Sequence, residues 1–377
     1  MLLKHQSCIN CLMDTTDPNI NFNIDGICDY CINFKKKILP QWNKNISNFS
    51  FLENKIEEIK SINKNRNYDC LVGISGGVDS SYLVYFLNKY KLRPLLFHVD
   101  AGWNTNAAVY NIERLLKKLS LDLHTEVLDW ETIKDLQLAY FKAGVPHLDT
   151  IQDHAFFASI YNFAVKNNIN TVFTGYNYSS ECIREPLLWH YHASDLRQLK
   201  NIHKIYGKHS MKLFPQSDIF KFKIYYKYFK KLKLYNPLNY MKYDKDEAVK
   251  ILKKELDWLP YGEKHYESRF TKFYEGYWLK DKFGYDKRKA HLSSMILSKL
   301  ISRDEALKKL SLNPYDDISL NNDLNYICNK LDISMNYLME LKNMPNKTYK
   351  DFKSNHKLIS LGTIIYRLLG WEKRIIR

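Results

Sequence analysis

The sequence predicts an α/β protein with a small metal-stapled ribbon before its sheet and a helical segment after it. Three observations carry that prediction. Two Cys-x-x-Cys pairs fall within the first 31 residues, strand and helix patterns alternate from Tyr68 to about Pro260, and the tail shows helix signals alone. Such alternation marks a parallel sheet covered by helices. The expected boundaries are residues 1–35 for the ribbon, 36–66 for a helical linker, 67–260 for the sheet domain and 261–377 for a helical C-terminal domain. At 377 residues the chain is long enough for this division.

Cys8-x2-Cys11 is followed after sixteen residues by Cys28-x2-Cys31. Each pair makes a tight knuckle that points two sulfurs at one metal, and the spacing is that of a four-thiolate zinc site. Asp14–Pro18 and Asp25-Gly26 supply turns between the knuckles. Too few apolar residues lie here to fold the segment unaided, so metal binding supplies its folding free energy. Four cysteines close the site, which makes the zinc structural. From Asn33 to Asn67 the apolar positions Phe51, Leu52, Ile56, Ile59 and Ile62 read as a connecting helix with a solvated lysine face.

The stretch Tyr68–Ser81, YDCLVGISGGVDSS, organises the sheet domain. It begins as a buried strand, breaks at Ser75-Gly76-Gly77 and re-enters order as a helix near Asp79–Ser81. Glycines let backbone N–H groups approach phosphate oxygens, and the helix N-terminus is positive. Ser75, Gly76, Gly77, Val78, Asp79, Ser80 and Ser81 therefore form a phosphate cradle. Asp79 would repel phosphate unless a divalent cation lies between them, so Mg²⁺ on Asp79 is implied. No Gly-Lys-Ser/Thr follows the glycines, which excludes a Walker loop.

A helix at Ser80–Tyr90 leads to a second strand, Arg93–Val99, which ends at Asp100. A helix at Thr105–Leu119 and a strand near Leu123–Leu128 come next, and a fourth strand, Thr171–Phe173, ends in Thr174-Gly175-Tyr176-Asn177. Ligands in open parallel sheets bind beyond the carboxyl ends of strands. Asp100 and Gly175 thus join the nucleotide site, and Asn177 and Glu181 face the same crevice. The segment Pro146–His154 heads a helix that runs to about Asn167. Asp149 or Thr150 can cap it, and Asp153 and His154 lie a turn further on, where they either line the site or pack.

Residues 220–233, FKFKIYYKYFKKLK, alternate apolar and basic residues and read as an amphipathic strand or helix. Residues 259–294 hold Lys264, His265, Glu267, Ser268, Arg269, Lys287, Arg288 and His291, spaced by aromatics. A leaving pyrophosphate needs cations at its developing charge, and this segment can supply them. Ser302-x-x-Glu305 is a capping box, and Leu324–Lys330, Met335–Lys342 and Thr363–Leu369 read as short helices.

The composition, 45% hydrophobic and 26% charged, is that of a soluble globular chain. Net charge +16 invites an anionic partner, but Lys, Asn, Ile and Tyr dominate throughout and no arginine-rich block stands out. No apolar run reaches membrane-spanning or signal-peptide length, so the expectation is a cytoplasmic protein without a membrane partner. Structural disulfides are rare there, which leaves the seven cysteines to metal and core.

SGGVDSS resembles the PP-loop of the ATP pyrophosphatases, which adenylate an oxygen and release pyrophosphate. The wider set CxxCLMDTTDP…GICDYC, SGGVDSS, PHLDTIQDH, TGYN and KHYESRFTKFYEGYWL…FGYDKRKAHLSS resembles the N-acetyl sugar amidotransferase family of WbpG/PseA type, over nearly the whole chain. The resemblance implies conversion of a sugar N-acetyl group to an acetamidino group, with ATP, Mg²⁺ and ammonia, for bacterial surface polysaccharide (O-antigen) or flagellin glycans. Asp79, Lys264, His265, Glu267 and Arg288 are then the catalytic candidates, and Asp153, His154, Asn177, Glu181, Arg269 and Lys287 the substrate-binding ones. The chain shows no glutaminase motif, so the resemblance implies a separate glutaminase subunit and a synthase-like subunit that channels ammonia. The alternative is a PP-loop tRNA-modifying enzyme, a thiolase or lysidine-type synthase. Thiolation wants a reactive cysteine pair, and outside the ribbon only Cys70, Cys182 and Cys328 remain.

Overall fold

A five-stranded, wholly parallel sheet lies at the centre of the computed structural model, which describes residues 5–262, 265–370 and 374. The strands are β1 (Cys70–Gly73), β2 (Pro94–Asp100), β3 (Asp122–Val127), β4 (Thr171–Phe173) and β5 (Lys233–Tyr235), in the order β3-β2-β1-β4-β5. Connections run outward from β1 in one direction and from β4 in the other. The switch between β1 and β4 opens a crevice at their carboxyl ends, where such sheets bind ligands.

Side chains alternate across β1, and that alternation sorts the two layers. Leu71 joins one core with helices Trp130–Ala143 and Thr150–Lys166, while Cys70 and Val72 join the other with helices Phe49–Ile62, Val78–Lys89 and Lys245–Leu256. The first core continues without a break into the C-terminal region, where Phe270, Phe273, Trp278, Leu324, Leu331 and Leu341 pack with Leu136 and Phe141. Helices Asp317–Leu331, Met335–Asn343 and His356–Leu368 make that region helical, as the tail pattern predicts.

Three elements extend or correct the reading of the sequence. The run 220–233 is neither one strand nor one helix: Lys221–Phe229 is π-helical and Lys233–Tyr235 is β5, paired with β4. Helix Trp130–Ala143 has no counterpart in the reading above, although the Asp129 side chain caps its start and Gly144 ends it in the left-handed region. Asp149 precedes helix Thr150–Lys166 but makes no side-chain cap. Its oxygens serve another purpose, given below.

The N-terminal knuckles pack against the rest of the chain rather than standing apart. Cys8, Cys11, Cys28 and Cys31 share a buried cluster with Trp42, Trp189, Cys182 and Ala290. The Leu12 N–H donates to Ser293 Oγ at 2.9 Å, and Arg303 donates to the Cys8 carbonyl at 3.2 Å.

Candidate active site and metal centre

The four ribbon sulfurs meet at one point. Sγ–Sγ separations are 3.8 Å for Cys8–Cys31 and 3.6 Å for both Cys11–Cys28 and Cys28–Cys31, with all four sulfurs within 4.8 Å of one another. A tetrahedron of metal–sulfur bonds of about 2.3 Å needs edges of about 3.8 Å. The N–H groups of Asn10, Met13 and Cys28 point at these sulfurs from 3.2 to 3.4 Å, which favours thiolates. The residues fit a closed tetrahedral metal centre.

The phosphate cradle is formed as its sequence demands. Gly76 has φ +79°, and a Cβ there would sit 2.4 Å from the Ala108 carbonyl oxygen. A Cβ on Gly175 would meet backbone atoms of Asp79 and Ser80 at 2.9 and 3.0 Å, so the loop after β4 lies directly on the start of helix Val78–Lys89. Oxygen acceptors already occupy the cradle. Gly77 N–H donates to Ser75 Oγ at 3.2 Å, Val78 N–H to the Tyr261 hydroxyl at 3.1 Å, and Ser75 Oγ to Glu267 Oε1 at 3.0 Å. The Tyr243 hydroxyl donates to Asp79 Oδ1 at 2.5 Å. Asp79 and Glu267 are thus the two carboxylates at the cradle, a donor set that suits a hard divalent cation between them and phosphate.

The cradle opens on a cavity of about 820 Å³. Apolar side chains (Phe97, Val99, Phe156, Ile160, Val172) line part of it, and charged ones line another. Ser75, Gly77, Val78, Asp79, Ser80 and Gly175 reach it, as do Asp153, Glu181, His265, Glu267, Lys287 and Arg288. Lys264 lies outside the described residues.

Several expected site residues have other duties. Asp100 does not line the cavity, because its Oδ1 accepts from Gly102 N–H at 2.8 Å and Asn104 Nδ2 at 3.0 Å, building its own turn. Ser81 is buried on the far side of its helix, outside the cavity lining. His154 is a core residue: its Nε2 accepts from Ser217 N–H at 3.2 Å, its Nδ1 donates to the Ala193 carbonyl at 2.6 Å, and burial lowers its pKa. Asn177 caps helix Tyr178–Glu181 and receives the N–H of Ser180 at 2.9 Å. Arg269 pairs with Asp323 at 2.5 Å and stacks 3.8 Å from the Tyr326 ring, stapling the helical region. Arg288 touches the cavity, yet its guanidinium is held by Asp286 at 2.7 Å and by the Leu310 and Leu312 carbonyls.

The structure also gathers a charged group that no local motif reveals. Lys287 bonds Glu275 at 2.7 Å and lies 3.8 Å from Glu185, while His190 Nε2 lies 3.2 Å from Asp153. Burial opposes the Lys287 charge, but the two glutamates hold its pKa above the ordinary value. Burial would raise Glu185, yet Lys287 and His190 bring it down to about 2. Asp149 accepts from Thr271 Oγ1 at 2.9 Å and from the Gln152 amide. Burial, then Asp153 and Glu275, push its carboxyl up to about 8. Glu185, Glu275 and Tyr261 carry no short motif; only the density of polar residues in 259–294 hinted at this group.

Residues 267–366 match the family model described as "LPS biosynthesis protein WbpG-like, C-terminal domain". The match bears out the family resemblance read from the sequence, over the segment that contributes Glu267, Glu275, Lys287 and Arg288. A search of curated proteins finds no match. Among solved structures, the chain is similar to the U34-tRNA thiolase NcsA from Methanococcus maripaludis, solved with its [4Fe-4S] cluster. Identity is 14%, coverage 79% of this chain and 82% of that one, and the TM-score 0.31. It is also similar to the NH3-dependent NAD synthetase from Campylobacter jejuni, solved with a nitrate ion, at 18% identity, 81% and 98% coverage and a TM-score of 0.28.

Proposed function

We propose that this chain is an ATP-dependent amidotransferase that adenylates the N-acetyl amide oxygen of a nucleotide-linked sugar and replaces that oxygen with ammonia. One observation carries the reading. A glycine-hinged cradle at the sheet's switch point opens on the same cavity as residues 267–288, which belong to the segment matching the WbpG-like family model.

The chemistry fits these groups. An amide carbonyl is a poor electrophile because oxide is a poor leaving group. Attack of the amide oxygen on the α-phosphorus of ATP gives an O-adenylyl imidate and pyrophosphate. Ammonia adds to the imidate carbon, and the C–O bond breaks with its electrons on AMP, leaving the amidine. Ser75, Gly77 and Ser80 hold the β- and γ-phosphates, and Tyr261 and Glu267 yield the N–H groups they occupy. Mg²⁺ on Asp79 and Glu267 would supply charge neutralisation. His265, at the cavity edge, and Lys264 remain the candidates to offset charge on the leaving pyrophosphate. The apolar part of the cavity excludes water that would return the imidate to amide. Zinc in the four-cysteine centre holds the ribbon. Ammonia comes from a separate glutaminase through a channelling subunit, and the reaction takes place in the cytoplasm on sugars for surface polysaccharide or flagellin glycans.

The tRNA-thiolation alternative finds no reactive cysteine pair. Cys70, Cys182 and Cys328 are all buried, and burial pushes Cys182 up to about 12. ATP-to-AMP turnover with ammonium, on UDP- and CMP-linked N-acetylated sugars against bulk tRNA, tests the reading. AMP formation on a sugar is expected. Turnover on tRNA alone would overturn it.

A further inference from the structure

We propose that the acid-rich group in the cavity is the subsite of the nitrogen nucleophile, which takes ammonia as ammonium and removes one of its protons beside the cradle. The inference rests on the amidation reading above and assigns that reaction's second substrate to named residues.

Four carboxylates, on Asp149, Asp153, Glu185 and Glu275, line the cavity and face one lysine, Lys287. With His190 neutral the group carries surplus negative charge away from bulk water, a condition that draws a small cation. A second observation points to a ligand. The Tyr274 side chain is fully buried, and its hydroxyl makes no hydrogen bond among the described residues. Lys287, Asp149, Glu275 and Asp153 are the charges that act on that hydroxyl, so it lies among them. The Thr150 hydroxyl, on the residue beside Asp149, is likewise buried and unpartnered among the described residues. Buried hydroxyls left unpaired cost stability unless something bonds them.

The cation is ammonium rather than a divalent metal. Among the described residues only the four ribbon cysteines bring three or more ligand atoms within 4.8 Å of one another. The carboxylates are therefore too dispersed for the compact octahedron of Mg²⁺. An ammonium ion donates four separate hydrogen bonds and suits dispersed acceptors. Free ammonia is the minor form at neutral pH, so a group that binds the ion and takes its proton answers a need of the chemistry. Asp149 is the acceptor. It faces Asp153, Glu275, Lys287, the Thr271 hydroxyl and the Gln152 amide, and burial among these acids gives it a proton affinity suited to neutral pH.

The step balances. Ammonium gives one proton to the Asp149 carboxylate, and the freed nitrogen lone pair forms the C–N bond to the adenylated carbon. The C–O bond then breaks with its electron pair on the AMP oxygen. The second proton leaves the new nitrogen for the departing AMP phosphate.

The test uses thallous ion, a monovalent stand-in for ammonium, soaked into crystals of the full chain. An anomalous peak is expected among Asp149, Asp153 and Glu275, displaced by ammonium chloride and lost in Asp153→Asn, whose side chain is one-third exposed. Tyr274→Phe, which removes only the hydroxyl, should weaken the peak. No peak, a peak indifferent to ammonium, or a manganese peak in its place would overturn the proposal. In turnover, Asp153→Asn should raise the KM for ammonium at least tenfold while acceptor-dependent exchange of pyrophosphate into ATP stays within twofold of wild type. A lower kcat with unchanged ammonium KM also counts against it. Should exchange be absent from the wild-type protein, the amidation reading fails, and the thallous result still judges the cation site.

Discussion

Gly175→Ala is the sharpest perturbation of the cradle that leaves its charges intact. The added Cβ would sit 2.9 Å from the Asp79 carbonyl carbon and 3.0 Å from Ser80 N, against 3.4 Å for ordinary contact. Backbone flanks both contacts, so no side chain can swing away, and the loop after β4 must part from the helix start by about 0.4–0.5 Å. Overpacking of this size costs about 1–3 kcal/mol. A shift of about 1 Å in a reacting site can cost ~10²-fold, so half of that predicts roughly tenfold weaker ATP binding, or about 1.4 kcal/mol. Calorimetric titration of Mg-ATP into wild-type and variant protein reads this directly. Gly362→Ala is the control: nothing lies within 4 Å of its Cβ, it falls inside helix His356–Leu368, and alanine there should stabilise by up to ~1 kcal/mol without touching ATP affinity. Wild-type affinity in Gly175→Ala, or equal losses in both variants, would refute the placement of the nucleotide.

Three further outcomes follow from the structure. Elemental analysis should find one zinc per chain, and Cys28→Ser should lose it, lower the melting temperature and shift tryptophan fluorescence, since Trp42 and Trp189 share the cysteine cluster. Lys287→Met leaves Glu275 and Glu185 without their cation and should cost about 3–5 kcal/mol in urea unfolding, with much of it recovered in the Glu275→Gln, Lys287→Met double variant. Asp149 binds its proton more tightly folded than unfolded, so its contribution to stability is full below the ordinary carboxylate pKa of about 3.9 and is lost as pH rises toward about 8. Asp149→Asn should therefore flatten the fall in stability between pH 5 and 8, measured by thermal melts across that range.

Local pattern made much of this molecule legible in the sequence. The strand–glycine–helix grammar of 68–81 places the cradle because apolar burial, φ > 0 at Gly76 and helix initiation are all properties of neighbouring residues. The paired cysteines meet as spaced for the same reason. What stayed hidden depends on distance in sequence. β5 is three residues long and earns its place only by pairing with β4, sixty residues earlier. His154 and Arg269 look catalytic beside acids and aromatics, yet one is fixed by Ser217 and Ala193 and the other by Asp323, partners that no local spacing announces. Asp149 reads as a helix cap, and only the arrival of Thr271 turns its carboxylate inward.

The most direct measurement follows one oxygen atom. With a nucleotide sugar whose acetamido oxygen is ¹⁸O, unlabelled ATP, Mg²⁺ and ammonium, amide attack on the α-phosphorus requires the label to emerge in the phosphate of AMP. Mass spectrometry should show AMP heavier by two mass units and an unlabelled pyrophosphate. Unlabelled AMP, or ADP in place of AMP, would contradict it.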